Sequence, residues 1–329
     1  MCVSRARVPR CGLLNDACGC VQVLHCQEVG TARSRAVKVL RLEGQWSEAA
    51  MNEAQALATI SLHNPDLHHL VRFYEAFQWG ARLFLVMEAL DRPLGTFIAQ
   101  NGQALRMGDI ACILKQLFCA LRKLDELDII HADVKPSNIM ITEQPVGRWR
   151  AKLVDFSNAL SAKRALQAPP AQSVWYRAPE VALGQAFCAA ADVWSLGCVA
   201  AELATATPLY RHARCDATLL HAVTRTHGPL PDALLARPGH TRWFYSQDAQ
   251  GGWALKELSE PDEFKGFTAL DDVCLKHYAK LSHREKSRFY VEIVLFGDLL
   301  RQMLDVYQER RICPREALNH DFLTGENFT

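Results

Sequence analysis

His131-Ala132-Asp133-Val134-Lys135-Pro136-Ser137-Asn138, with Asp155-Phe156-Ser157 beginning 17 residues after Asn138, is the stretch whose reading decides the fold. An Asp, a Lys and an Asn at these offsets on one loop, followed by an Asp-Phe pair on a second, are the side chains that phosphoryl transfer needs. One acid takes the proton of a hydroxyl, the lysine neutralises the migrating phosphoryl charge, and Asn with the second Asp holds Mg2+.

Upstream of this stretch the chain reads as strands interrupted by one helix. Cys20 to Leu24 and Arg35 to Leu40 are short strand-like runs, divided by the turn-like Val29-Gly30-Thr31. Ser47 to Ile60 has a helical period, which puts Met51, Ala54, Leu57 and Ala58 on one face and makes Ser47 the N-cap. His63-Asn64-Pro65-Asp66 breaks the pattern as a loop. Leu70 to Phe77 and Leu83 to Met87 read as strands, the second a continuous apolar run of the buried kind.

Downstream the pattern is helical. Ile110, Ile113, Leu114, Leu117, Leu121 and Leu124 recur at three- and four-residue steps from Asp109, in a helix that ends before Asp128. Ala190 to Ala204 is apolar nearly all round and therefore a buried helix. Helices are also expected over Tyr290 to Tyr307 and Pro314 to His320. Gly228 to Ser282 reads as irregular, anchored by Trp243, Phe244, Tyr245 and Trp253. The fold class is α+β: a small β-rich lobe joined near Glu88 to Asp91 to a larger, mainly helical lobe.

Composition narrows the function classes. A chain of 329 residues suits a two-lobed enzyme with short ends. A net charge of +1 makes no electrostatic case for nucleic acid or a membrane surface, and no run of about 18 apolar residues is present to span a bilayer. Of 12 cysteines, Cys2, Cys11, Cys18, Cys20 and Cys26 crowd the start, at spacings of neither a zinc site nor a secreted disulfide framework. They read as free thiols of a reducing compartment. The basic opening lacks the apolar core of a signal peptide. The expectation is a soluble intracellular protein, nuclear or cytoplasmic.

Lys38, in Arg35-Ala36-Val37-Lys38, falls on the third strand, and Glu53 on the helix after it. A carboxylate there stops the flexible lysine stem from swinging and lets it clamp phosphates. In order, Lys38, Glu53, Leu85-Val86-Met87-Glu88, His131 to Asn138, Asp155-Phe156-Ser157, Ala178-Pro179-Glu180, Asp192-Val193-Trp194-Ser195-Leu196-Gly197 and Arg311-Ile312 resemble the eukaryotic protein kinase signature. The resemblance runs over residues 14 to 324 and implies the bilobal protein-kinase fold. It divides the chain into an extension (1–12), a kinase domain (13–324; N-lobe 13–87, hinge 88–91, C-lobe 92–324) and a short end (325–329).

Carried over residue by residue, the resemblance makes Asp133 the catalytic base, Lys135 the phosphate-neutralising lysine, and Asn138 and Asp155 the Mg2+ ligands. It places ATP against Leu14, Gly19, Val21, Ala36 and Lys38, with Glu53, Met87, Glu88, Leu90 and Met140 completing the site. Glu180 would pair with Arg311, Asp192 would hold the catalytic loop, and Leu57, Phe73, His131 and Phe156 would stack. Lys135-Pro136 resembles the serine/threonine class.

Ala132, Asn138-Ile139-Met140, Leu183-Gly184-Gln185-Ala186-Phe187-Cys188, Thr226-His227-Gly228-Pro229-Leu230-Pro231 and Thr241-Arg242-Trp243-Phe244 resemble the homeodomain-interacting protein kinases, in the group of the dual-specificity tyrosine-regulated kinases. In that group an arginine at the place of Arg177 favours proline after the phosphorylated residue. The resemblance thus implies protein substrates with Ser or Thr followed by Pro, and transcription regulators as partners.

The chain departs from the pattern in four ways. The phosphate-covering G-x-G-x-x-G-x-V falls on Leu14, Asp16, Gly19 and Val21, so one glycine survives where close approach of backbone N–H groups needs three. A carboxylate at Asp16 opposes the phosphates by about 1–3 kcal/mol. Ser157 replaces the glycine of Asp-Phe-Gly, and Ala132 removes the arginine that grips a phosphorylated activation loop. Lys163 to Ser173 contains no tyrosine; Pro170 stands at the acceptor position and Val174 at the receiving arginine. The leading expectation is a kinase active without activation-loop phosphorylation. The alternative is a pseudokinase that serves as a protein-binding scaffold.

Overall fold

The computed structural model describes residues 12–14, 21–31, 33–44, 46–144, 149–165, 171–258 and 266–325. Five antiparallel strands, β1 (Gly12–Leu14), β2 (Val21–Gln27), β3 (Ser34–Arg41), β4 (Phe73–Trp79) and β5 (Arg82–Glu88), form one sheet in the order β1-β2-β3-β5-β4. Helix α1 (Trp46–Ser61) lies between β3 and β4 in sequence. After β5 come β6 (Arg92–Pro93), α2 (Leu94–Asn101) and α3 (Met107–Glu126). Strands β7 (Ile139–Glu143) and β8 (Trp149–Leu153) complete a small sheet with β6.

The rest is mainly helical: α4 (Ala162–Ala165), α5 (Pro179–Ala182), α6 (Ala190–Thr205), α7 (Asp216–His227), α8 (Asp232–Leu235) and α9 (Thr241–Phe244). A hairpin of β9 (Tyr245–Gln247) and β10 (Trp253–Leu255) precedes α10 (Asp271–Ala279), α11 (His283–Met303), α12 (Pro314–Ala317) and α13 (Asp321–Thr324).

The expected stripe of α3, Ile110 to Leu124, is buried at all six positions. Each such side chain contributes about 1.5–3 kcal/mol on burial, so packing rather than helix propensity holds α3. Helix α6 is buried along its whole length from Ala191, as its nearly all-apolar sequence requires, and its buried Asp192, Ser195 and Glu202 are hydrogen-bonded. Its Gly197 admits α11 closely, since a Cβ there would stand 2.7 Å from Leu304 Cδ2. Glu180 and Arg311 form a fork-to-fork pair at 2.8 and 3.0 Å with both side chains fully buried. Arg311 also donates to the carbonyls of Ala190 (2.8 Å) and Asp305 (3.1 Å), which satisfies the guanidinium that burial strips of water.

Several expected boundaries and faces move. Gly44, at φ 58°, turns the chain so that α1 starts at Trp46, and Ser47 lies inside the first turn instead of capping it. The inward face of α1 is Ala50, Glu53, Leu57 and Ile60, while Met51 is 56% exposed and Ala58 is also exposed. Glu53 sets this rotation, because its carboxylate must face Lys38. Strand β4 starts at Phe73 because Leu70 and Val71 pair instead with Leu153 of β8.

Helix α11 begins at His283, well before Tyr290. Ser282 Oγ accepts the Glu285 N–H (3.4 Å), and the Glu285 carboxylate accepts the Ser282 N–H (2.9 Å), a capping box. The segment from Gly228 to Ser282 is less irregular than its sequence suggests, holding α8, α9, the β9–β10 hairpin and α10. Within it Tyr245 is buried and Phe244 and Trp253 half-buried, but Trp243 is no anchor: it is 68% exposed and stacks on His240. The helix expected over Pro314 to His320 breaks after Ala317, and α13 restarts where His320 Nδ1 accepts the Phe322 N–H.

Candidate active site

Strand β3 carries Lys38 opposite Leu85 of β5, and α1 presents Glu53 to it. The ammonium of Lys38 donates to Glu53 Oε1 and to Asp155 Oδ1, each at 2.7 Å. Burial alone would lower the pKa of Lys38, but the two carboxylates outweigh it and raise it. Burial likewise pushes the Asp155 carboxyl up, yet the neighbouring Lys38 ammonium, aided by Ser157, holds its pKa down at about 2. Asp155 takes φ 63°, a left-handed conformation that the surrounding contacts enforce, since Phe156 beside it is fully buried.

The loop after α3 is held from beneath. Asp192 of α6 accepts the backbone N–H groups of His131 (2.7 Å) and Ala132 (2.9 Å). His131 meets the Phe156 ring edge-on at 5.0 Å, and its Nε2 lies 2.9 Å from the Val154 carbonyl. Ala132 is buried at φ 59°, and its carbonyl accepts the Gln172 N–H at 2.9 Å.

Above this support the polar groups converge on Asp133. Its Oδ1 accepts Ser173 Oγ (2.8 Å) and Ser173 N–H (3.2 Å), and its Oδ2 lies 2.8 Å from the Lys135 ammonium. Lys135 also donates to Ser173 Oγ at 3.0 Å. Asn138 donates its amide nitrogen to the Asp133 carbonyl (2.9 Å) and to Oδ2 (3.2 Å), which leaves its carboxamide oxygen as a donor to a cation.

One carboxylate and one amide oxygen are a poor complete cage but a good partial one. Mg2+ ordinarily keeps water and phosphate oxygens beside one or two protein ligands. The Asn138–Asp155 pair therefore fits a cation that arrives with phosphates.

The remaining expected positions line the neighbouring strands. Leu14 pairs with Val23, Val21 with Leu40, Ala36 with Met87, and Met140 with Lys152. Leu90 packs on the core. Gly19, Asp16 and Pro170 lie outside the described residues. The Glu88 carboxylate accepts the Arg72 N–H at 2.7 Å and the Lys152 ammonium, and its own N–H donates to the Arg72 carbonyl at 2.9 Å.

Two groups were not singled out from sequence. Ser173 closes the expected activation segment, and nothing local marks it; only its hydrogen bonds to Asp133 and Lys135 reveal it. Lys152 carried a signal, a lysine between the strand residues Ala151 and Leu153 that are both buried. Arg177 donates to the carbonyls of Ala171 (3.0 Å) and Gln172 (2.8 Å) and pairs with Asp216 at 2.5 Å. Gln172, at φ 68°, is fixed by its side chain to the Ala191 carbonyl, Ser195 Oγ and the Ala178 N–H.

A strand lysine held by a helix carboxylate stands above a loop that gathers Asp133, Lys135 and Asn138 beside Asp155, the arrangement of side chains that phosphoryl transfer needs. The chain belongs to the protein kinase family, whose domain matches residues 18–323. It is 35% identical over 318 residues to homeodomain-interacting protein kinase 2 of Mesocricetus auratus, covering 92% of this chain and 27% of that protein. It is 34% identical to homeodomain-interacting protein kinase 1 of Mus musculus over 324 residues (92% and 26%) and to homeodomain-interacting protein kinase 4 of the same species over 323 residues (91% and 52%). The chain thus spans about a quarter to a half of the length of these relatives.

Proposed function

We propose that this chain is a Mg-ATP-dependent serine/threonine kinase that works without a phosphate on its activation segment and favours proline after the target residue. The observation that carries the reading is the assembled site. Lys38 bridges Glu53 and Asp155, and Asp133 is held by Ser173 and Lys135.

When bound, Mg-ATP supplies the transferable phosphoryl group. Asp133 would take the proton of the incoming hydroxyl, Lys135 would offset charge on the phosphoryl oxygens, and Asn138 with Asp155 would hold the metal. Lys38, fixed by Glu53, orients the phosphates. Buried Ala132 and half-buried Val174 offer no cation to a phosphate, in keeping with a segment that has no tyrosine from Lys163 to Ser173.

The proline preference rests on Arg177. Because it occupies the carbonyls of Ala171 and Gln172, a substrate N–H arriving there would lose its partner. Proline has no N–H to lose. The names of the relatives point to homeodomain proteins, so a homeodomain transcription regulator is the partner to test. The free thiols among the described cysteines go with an intracellular setting, nuclear or cytoplasmic.

The test is phosphate transfer from labelled Mg-ATP to a Ser-Pro or Thr-Pro peptide, with Asp133→Asn as control. The variant should keep its thermal shift with Mg-ATP and lose about 10²–10⁴-fold in rate. Neither thermal shift nor transfer at millimolar Mg-ATP would replace this reading with the scaffold, which Leu14 at a glycine position favours.

A further inference from the structure

We infer that the outer face of the five-stranded sheet is a docking surface for an extended, acidic segment of a partner protein that carries aromatic or large aliphatic side chains. The sheet has one covered face and one open one. Lys38, Leu40, Leu83 and Leu85 turn toward α1 and are buried. The residues of opposite parity form the other face: Val37, Val39 (buried beneath its neighbours) and Arg41 on β3, Arg82, Phe84 and Val86 on β5, with Glu75, Phe77 and Trp79 on β4; the exposed Glu75 stands opposite Val86, two rows from the Arg41–Arg82 pair.

The register arranges these side chains in rows. Trp79, Arg82 and Arg41 are cross-strand neighbours in one row, and Phe77, Phe84 and Val39 in the next. Phe77 and Phe84 stack at 4.9 Å with their planes 1° apart, and the Trp79 ring lies 6.5 Å from Phe84. Yet Trp79 is 76% exposed and Phe77 45% exposed. An ordered aromatic row left in water, flanked by arginines, has the composition of residues that anchor interfaces.

Charge identifies the occupant. Arg35 on the same face already has partners, the Glu28 carboxylate at 2.9 Å and the Tyr74 ring at 4.1 Å. Arg41 and Arg82 stand directly opposite each other, exposed, and no carboxylate among the described residues pairs with either. Like charges so placed oppose each other, and an incoming carboxylate relieves them.

Neighbouring rows lie about 7 Å apart along a strand, the span of two residues in an extended chain. A segment with an acid two residues from an apolar side chain therefore meets the arginine row and the aromatic row together. Strand β4 is the edge of the sheet, so such a segment also finds backbone groups that no other strand uses. An anionic membrane is a poorer match, because such surfaces are read by clusters of about 4–8 cations.

Random short peptides displayed on phage, selected on the immobilised full chain, test the surface. Enriched peptides should carry Asp or Glu two residues from an aromatic or aliphatic side chain. A fluorescein-labelled copy of one should bind about tenfold more weakly to Trp79→Ala and to Arg41→Glu/Arg82→Glu, and more weakly as salt rises. Thermal melts should show both variants folded, since the side chains concerned are exposed. Enrichment of basic peptides, no enrichment, or binding indifferent to both variants overturns the proposal. So does a wild-type dimer in sedimentation that Trp79→Ala abolishes, which makes the occupant a second copy, or Trp79-dependent flotation with phosphatidylserine vesicles.

Discussion

The Lys152 ammonium, on a side chain only 2% exposed, lies 2.5 Å from Asp66 Oδ1 and also touches the carboxylate of Glu88. Asp66 sits in the loop after α1, Glu88 ends β5, and Lys152 is on β8, three positions before Asp155. Arg72 closes the network by pairing with Asp66 and donating its backbone N–H to Glu88. One buried cation thereby ties the first sheet to the strand that delivers Asp155. Burial pulls the Lys152 pKa below that of an ordinary lysine, even with Glu88 opposing the shift.

Lys152→Met should therefore cost about 3 kcal/mol in urea denaturation, because it removes the one buried cation between the Asp66 and Glu88 carboxylates and leaves Asp66 only its more exposed partners Arg72 and Arg150. Adding Asp66→Asn and Glu88→Gln should recover most of that loss. A single variant within about 0.5 kcal/mol of wild type would show the network to be incidental.

Asp155 gives a pH signature. Its folded pKa of about 2 lies below the ordinary 3.8, so its contribution is complete above pH 3.8 and disappears as pH falls toward 2. Undiscounted, such a shift is worth about 2.4 kcal/mol. With 36% of the side chain open to water, about 1 kcal/mol is the expected share after screening. The stability gap between wild type and Asp155→Asn should shrink by that amount between about pH 5 and pH 2. A gap that does not change with pH contradicts the ion pair.

Ser173 should act on rate rather than on nucleotide binding. It orients Asp133 and receives Lys135, so Ser173→Ala should lower kcat about 10–100-fold with little change in KM for ATP. Ser173→Thr, which keeps the hydroxyl, should restore most of the rate. Equal loss in both variants would point to packing instead.

Arg177→Ala should release the carbonyls of Ala171 and Gln172. The preference for a Ser-Pro peptide over its Ser-Ala counterpart should then fall toward unity, measured as the ratio of kcat/KM values. A preserved ratio places the proline preference elsewhere.

Much of the architecture was legible because its signals are periodic or chemically rare. The α3 stripe and α6 are buried as their periods require, and Lys38, Glu53 and Asp155 meet in one cluster with Asp133 and Asn138 in contact on the neighbouring loop. Element edges were less legible where a distant partner set them. Leu70 left β4 for Leu153, and Met51 turned outward because Glu53 had to turn in. Ser282 moved the start of α11 through a capping box that its apolar period did not reveal.

The sequence by itself determined which residues can do the chemistry, since an Asp, a Lys and an Asn at fixed offsets depend only on the covalent chain. It also determined the fold class, because apolar period follows local geometry. Only the tertiary structure decided that Ser173, some 40 residues on, closes over Asp133, that Lys152 binds Asp66 and Glu88, and that Trp79 and Phe77 share an open face with Arg41 and Arg82. Those contacts join residues from separate elements, and their energies depend on burial and distance, which a linear order does not contain.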